Sequence, residues 1–213
     1  MFAYVSKRRA ISLALLVLLL AGPSCSKCRQ RSEPTDDRPA DAAASDSLRL
    51  VVVITVDQLP SWTFERDRSL LTGGLKRLLA QGLLVPAAEF PYANTYTAPG
   101  HATIATGAPP SVTGILANSW YRRDRNRPAS CIVDSDYRIF GLESRGDDGG
   151  ASPKALRVEG VADVLRRETE GRSKSVAVSL KDRGAILLLG RRPDLALWYE
   201  EAIPGMTTSS YYT

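Results

Sequence analysis

Five polar residues have types and spacing that could do chemistry. Asp57 ends an apolar run, Thr97 lies four residues before His101, Asn118 follows, and Lys181 and Arg183 form a Lys-x-Arg pair. A threonine hydroxyl is a poor nucleophile near neutral pH and needs a metal or a base beside it. Thr97 falls at a helix start, where free backbone N–H groups and the dipole favour an anion and help to ionise a hydroxyl. Asp57 is a hard oxygen donor suited to such a metal. Asn118 could donate to a phosphate oxygen, while Lys181 and Arg183 could bind the remaining oxygens, the arginine bidentately. The chemistry this set suits is phosphoryl transfer. Taken singly, each residue has a plainer reading: Asp57 as a turn cap, Thr97 as a helix cap, Lys181 and Arg183 as surface charges.

Particular elements must position these side chains. Residues 48–56 form a continuous β-branched run, which predicts a strand buried on both faces of a parallel sheet and stopping at Asp57. Leu71, Leu75, Leu78 and Leu79 recur at helical spacing within 70–84. A short strand over 83–90 leads into a loop, and a helix follows at Pro99-Gly100-His101, since proline is favoured in a first turn. Residues 162–167 read as the end of another helix, and 175–180 and 195–199 as buried strands. The alternation predicts an α/β fold, a mostly parallel sheet with helices on both faces. In such sheets ligands gather outside the carboxyl ends of the strands, where Asp57, the 95–101 loop, Lys181 and Arg183 all fall.

Composition narrows the partners. At 213 residues, 44% hydrophobic and 24% charged, with 16 Gly and 13 Pro, the chain is neither collagen-like nor wholly disordered. It has one histidine and three cysteines, Cys25, Cys28 and Cys131, so a zinc site made from this chain alone has at most one imidazole. The net charge of +5 falls to +2 without residues 1–24, which carry Lys7, Arg8 and Arg9 and no acid. A near-neutral remainder argues against nucleic acid as the main partner. Arg122, Arg123, Arg125 and Arg127 read as a solvated loop, broken up by Asp124, Asn126 and Pro128.

The N-terminus reads as an export signal. Lys7-Arg8-Arg9 precedes an apolar run over 10–21, too short to span a bilayer, which needs about 20 residues. Gly22-Pro23-Ser24-Cys25 is similar to the lipobox of bacterial lipoproteins, whose cysteine is lipidated and becomes the mature N-terminus, although Gly22 and Pro23 are atypical there. The expected organisation is a signal peptide over 1–24, a lipidated Cys25 with a flexible tether over 25–47, and a globular part over 48–213. The tether has no aliphatic residue larger than alanine from 29 to 47 and cannot offset its ordering entropy. The product is expected in the periplasm or at the outer membrane, held by its lipid anchor, or secreted after ordinary cleavage. Cys28 and Cys131 could pair in such an oxidising compartment.

Over residues 48–213 the chain resembles the alkaline phosphatase superfamily, within it the threonine-nucleophile periplasmic phosphatases close to the type I phosphodiesterase/nucleotide pyrophosphatase group. Val53-Ile-Thr-Val-Asp57-Gln58 resembles the first strand with its zinc-binding aspartate. Thr97-Ala-Pro-Gly-His101, continuing through Thr106-Gly107 and Ser111-Val-Thr-Gly114-Ile115, resembles the nucleophile motif. Asn118-Ser-Trp120-Tyr121 and Ser179-Leu-Lys181-Asp-Arg183 resemble the phosphate-contacting segments, the latter that of the monoesterase branch. Trp198-Tyr199 and Ser209–Thr213 are similar to the next strands.

The resemblance implies an alkaline-phosphatase-like fold, incomplete at the C-terminus, and two zinc ions. Thr97 would be nucleophile and zinc ligand, Asp57 a ligand of the same zinc, and Asn118, Lys181 and Arg183 the holders of the transferring phosphate. His101 is expected to be structural or to support other residues, not to bind metal. The remaining zinc ligands of such enzymes have no counterpart here, so the chain is expected to be an N-terminal fragment, inactive alone, of a small-molecule phosphomonoesterase. The alternatives are a nucleotide pyrophosphatase/phosphodiesterase and a catalytically inactive lipoprotein that binds phosphate or a partner.

Overall fold

The computed structural model describes residues 50–142, 146 and 148–213. The expected signal peptide, Cys25, Cys28 and the tether lie outside these residues. The chain divides into two units, one ending at Ala87 and one spanning Ala88–Thr213. In the first, helix α1 (Ser61–Asp67) follows the extended Pro60, and helix α2 (Gly73–Gln81) carries the leucine pattern. The strand expected over 48–56 does not form in the described residues: only Ile54 makes a bridge, and Val51, Val52 and Val56 are exposed. A strand buried on both faces needs a neighbour along each edge, and this unit supplies no ladder. The strand expected over 83–90 is likewise reduced to one bridge residue, Leu83.

The second unit holds the core. Helix α3 (Thr97–Thr106) is followed by the short helix α4 (Pro110–Thr113). Then come an antiparallel hairpin, β1 (Ser119–Arg122) with β2 (Arg127–Ser130), and a second antiparallel pair, β3 (Val133–Arg138) with β4 (Gly150–Ala151). Helix α5 (Val161–Glu168) leads to β5 (Val176–Ser179), helix α6 (Asp182–Leu188), β6 (Leu195–Glu200) and β7 (Gly205–Thr207). Strands β5 and β6 run parallel, joined across α6, and β7 adds antiparallel to β6. The tail expected to be strand at 209–213 is instead a 3-10 helix, Ser210–Tyr212, with Ser209 bridged to Ile139. The arginine run is the hairpin turn, as the sequence suggests, with Arg122 bonded to Asp124 and Arg127 to Asp148.

Register explains the packing. Ala177 stands opposite Ala196 and Ser179 opposite Trp198, so Ala177, Ala196 and Trp198 are buried on one face of the sheet. Helix α6 covers them with Ala185, Ile186 and Leu187, all fully buried. Helix α3 packs on α6, and its small residues Ala98, Gly100, Ala102 and Ala105 permit a close approach. Gly184 lets α6 start close against β5, because a Cβ there would lie 2.5 Å from Ser179 Oγ; His101 Nε2 of α3 lies 3.5 Å from the same point. The turn after α6 is fixed by the buried Asp163 carboxylate. It accepts from the backbone N–H groups of Gly160 (2.7 Å), Arg191 (2.7 Å) and Arg192 (2.6 Å).

Candidate active site

Thr97 is the first residue of α3, preceded by the extended Tyr96. The helix ends where Gly107 turns left-handed, φ 68°, and returns its N–H to Thr103 O. The loop before Thr97 is pinned from both sides. Tyr92 Oη bonds Thr103 Oγ1 at 2.9 Å, and Asn94 Nδ2 donates to Leu116 O at 2.6 Å. Neither residue stands out in the sequence, since each works through a partner eleven or more positions away.

Asn118, which precedes β1, reaches back to this helix start. Its Oδ1 accepts the Ala98 N–H at 2.9 Å, which brings Asn118 beside Thr97. With Oδ1 engaged, the amide end of Asn118 is the part that can donate to an oxygen ligand. The expected cluster of free N–H groups at the helix start is smaller than the sequence suggests. Ala98 N–H goes to Asn118, Pro99 has none, and Gly100 N–H bonds Tyr96 O at 3.0 Å. Anion binding here must therefore draw on side chains more than on the helix terminus.

Those side chains start from α6. Lys181 is exposed at its N-terminal edge, and its backbone N–H donates to Ser179 Oγ at 3.2 Å. Arg183 Nη1 lies 3.3 Å from Asp182 Oδ1, and its buried Nε has no hydrogen-bond partner among the described residues. The guanidinium borders a cavity of about 230 Å³ also lined by Ser130, Ile132, Ile139, Asp182 and Glu200. This places Arg183 beside the β2 to β4 region, next to Cys131, whose N–H donates to Asn118 O at 3.0 Å. Burial pushes the Cys131 thiol up to about 12, so it is a packed, protonated group and not a nucleophile.

His101 is buried on α3, with Nδ1 2.8 Å from Thr97 O. Asp57 sits in an exposed turn of the first unit, ahead of Gln58 with φ 60°. Among the described residues no group of three or more His, Cys, Asp or Glu is arranged to hold a metal ion. A catalytic zinc normally keeps three protein ligands. Asp57 and Thr97 fall short of that number, so these residues alone do not make a zinc site. No described helix is long and apolar enough to cross a membrane.

The chain has relatives among known proteins. A sequence model of the type I phosphodiesterase / nucleotide pyrophosphatase family matches residues 51–178. Alkaline phosphatase PhoV of Synechococcus elongatus is 33% identical over 204 residues, covering 95% of this chain and 37% of PhoV. The crystal structure of wild-type alkaline phosphatase PafA superposes with a TM-score of 0.68 at 36% identity, over 74% of this chain and 30% of PafA. A PafA variant with one threonine, one asparagine, one lysine and one arginine replaced gives 0.69 at 34% identity, over 74% of this chain and 31% of that one. The chain thus spans about a third of the length of these relatives. Its fold is α/β and alkaline-phosphatase-like, in part, and the chain belongs to the type I phosphodiesterase/nucleotide pyrophosphatase family.

Proposed function

We propose that the chain is the N-terminal portion of an exported phosphate-ester hydrolase that prefers monoesters and works through a phospho-threonine. The observation that carries this is the Ala98 N–H to Asn118 Oδ1 bond, which sets a hydroxyl and an amide donor at one helix start. Thr97 Oγ attacks phosphorus, the ester oxygen leaves as the alcohol, and water then hydrolyses the phospho-threonine to inorganic phosphate. Asn118, Lys181 and Arg183 hold the non-bridging oxygens and offset their charge. Two cations match a monoester better than a diester, which has one fewer free oxygen. The four residue types replaced together in the PafA variant occur here in the same chain order, as Thr97, Asn118, Lys181 and Arg183, which supports this assignment. Zinc dependence follows from the family resemblance, with Asp57 and Thr97 as ligands and the others supplied from outside these 213 residues. Export and lipid attachment at Cys25 complete the reading.

The lack of a third metal ligand among the described residues favours a second reading, a phosphate-binding lipoprotein without turnover. One experiment separates them. Acid-quenched mass spectrometry of the longer protein during turnover should find phosphate on the Thr97 peptide, and Thr97→Ala should lose about a thousandfold or more in kcat. The 213-residue chain alone should hydrolyse almost nothing. Full activity of Thr97→Ala would remove the nucleophile assignment, while binding of phosphate without turnover by the longer protein would favour the second reading. Equal losses of monoesterase and diesterase activity in Lys181→Ala/Arg183→Ala would overturn the monoester preference.

A further inference from the structure

His101 is the one buried imidazole, and none of the steps above uses it. Its Nδ1 lies 2.8 Å from the carbonyl oxygen of Thr97, one helical turn back. A carbonyl only accepts, so Nδ1 carries a proton and donates it to Thr97 O. The Nε2 side faces α6 at the point where Gly184 lacks a side chain, and Ser179 Oγ meets the same point. Ser179 Oγ in turn accepts the N–H of Lys181. One ring therefore lies between the carbonyl of Thr97 and the turn that carries Lys181 and Arg183.

We infer that His101 is a positioning residue: its Nδ1–H fixes the Thr97 peptide plane while its other edge sets how close the Lys181–Arg183 turn approaches. This rests on the reading of Thr97 as nucleophile. A carbonyl bond on the nucleophile's own residue limits rotation about its backbone, and small displacements of an attacking atom are costly. A shift of about 1 Å is able to lose roughly a hundredfold in rate. In the first turn of α3 the Ala98 N–H to Asn118 bond ties one side of the Thr97–Ala98 peptide, and the His101 bond to Thr97 O ties the other. The ring also stands within van der Waals reach of the Gly184 position, 3.5 Å from where a Cβ would lie, so it acts as a spacer as well as a donor.

Two measurements test this. In the longer active protein, His101→Leu should lower kcat for an aryl phosphate about 30- to 100-fold with KM changed less than about threefold. His101→Asn, whose side-chain amide donates from the same place, should recover most of the loss. If Leu and Asn variants both match the parent, or both fall equally, the positioning role is overturned. In the 213-residue chain, imidazole nitrogen NMR should show the proton on Nδ1, and a ring protonated on Nε2 alone would overturn the geometry. Should Thr97→Ala retain activity, the nucleophile reading fails, yet the NMR result still decides whether the His101–Thr97 bond exists.

Discussion

The two units read almost equally well as apolar pattern and differ sharply in what they bury. Residues 50–56 form the strongest β-branched run in the sequence, yet none of residues 50–87 is buried and Val51 is 63% exposed. The second unit contains shorter and weaker runs, and there Ile115, Ile186, Leu187 and Trp198 are 1% exposed or less. Pattern states which side chains require a neighbour; burial depends on a neighbour being present. In the second unit β5, α6 and β6 follow one another in the chain and supply each other's neighbours, whereas the first unit offers residues 50–56 no ladder.

The largest effect should come from the second unit's core. Trp198→Ala removes a fully buried indole between β6 and α6 and is expected to cost about 3–5 kcal/mol. Trp198→Phe should cost much less, because the buried Trp198 Nε1 has no hydrogen-bond partner among the described residues to lose. Urea denaturation of the 213-residue chain measures both. A small loss for the alanine variant would mean that the two units do not differ in the way their burial indicates.

The same contrast explains what the sequence made legible. Helix α5 and strands β5 and β6 are found close to their expected limits, since each one's neighbours are near in sequence. Thr97 at a helix start and Asn118 beside it were likewise readable, as ordered motif residues. The strand at 48–56 failed because its pattern specifies a sheet interior that the described residues do not contain. The tail at 209–213 failed differently: its tyrosines make a ring cluster, Tyr137 with Tyr211 and Tyr211 with Tyr212, and their β propensity is spent on packing. Of the N–H groups lost at the start of α3, that of Ala98 was invisible, because it depends on a bond across twenty residues, whereas Pro99 announces its missing N–H in the sequence.

The next effect tests the close approach of β5 and α6 in the second unit. Gly184→Ala places a Cβ 2.5 Å from Ser179 Oγ, and the expected cost is about 1–3 kcal/mol. Ser179→Ala removes that oxygen and should restore most of the stability in the double variant, a coupling readable from a double-mutant cycle. An additive cycle would show that the crowding lies elsewhere.

A smaller effect is a dependence on pH. Burial holds the Cys131 thiol up to about 12, above its ordinary value of 9.0. The unfolded chain binds fewer protons than the folded one between those values, so stability falls as pH rises through that window. Below the ordinary value the contribution is intact. Denaturation midpoints at pH 8 and pH 10.5 should therefore differ, and Cys131→Ala should reduce the difference. An unchanged difference would assign the loss to other groups.

The smallest expected effect is the sharpest test of the comparison. Val51→Ser changes an exposed residue in a segment with no ladder and should alter stability by less than about 0.5 kcal/mol in the 213-residue chain. A valine in a strand buried on both faces would lose roughly 1.5–3 kcal/mol on the same change. The two values are far enough apart for urea denaturation to separate them. If the longer protein proposed above supplies strands on either side of residues 50–56, the cost there should rise to the larger value. A large cost already in the 213-residue chain would show that the run has its neighbours within this chain, and the contrast between the two units would then collapse.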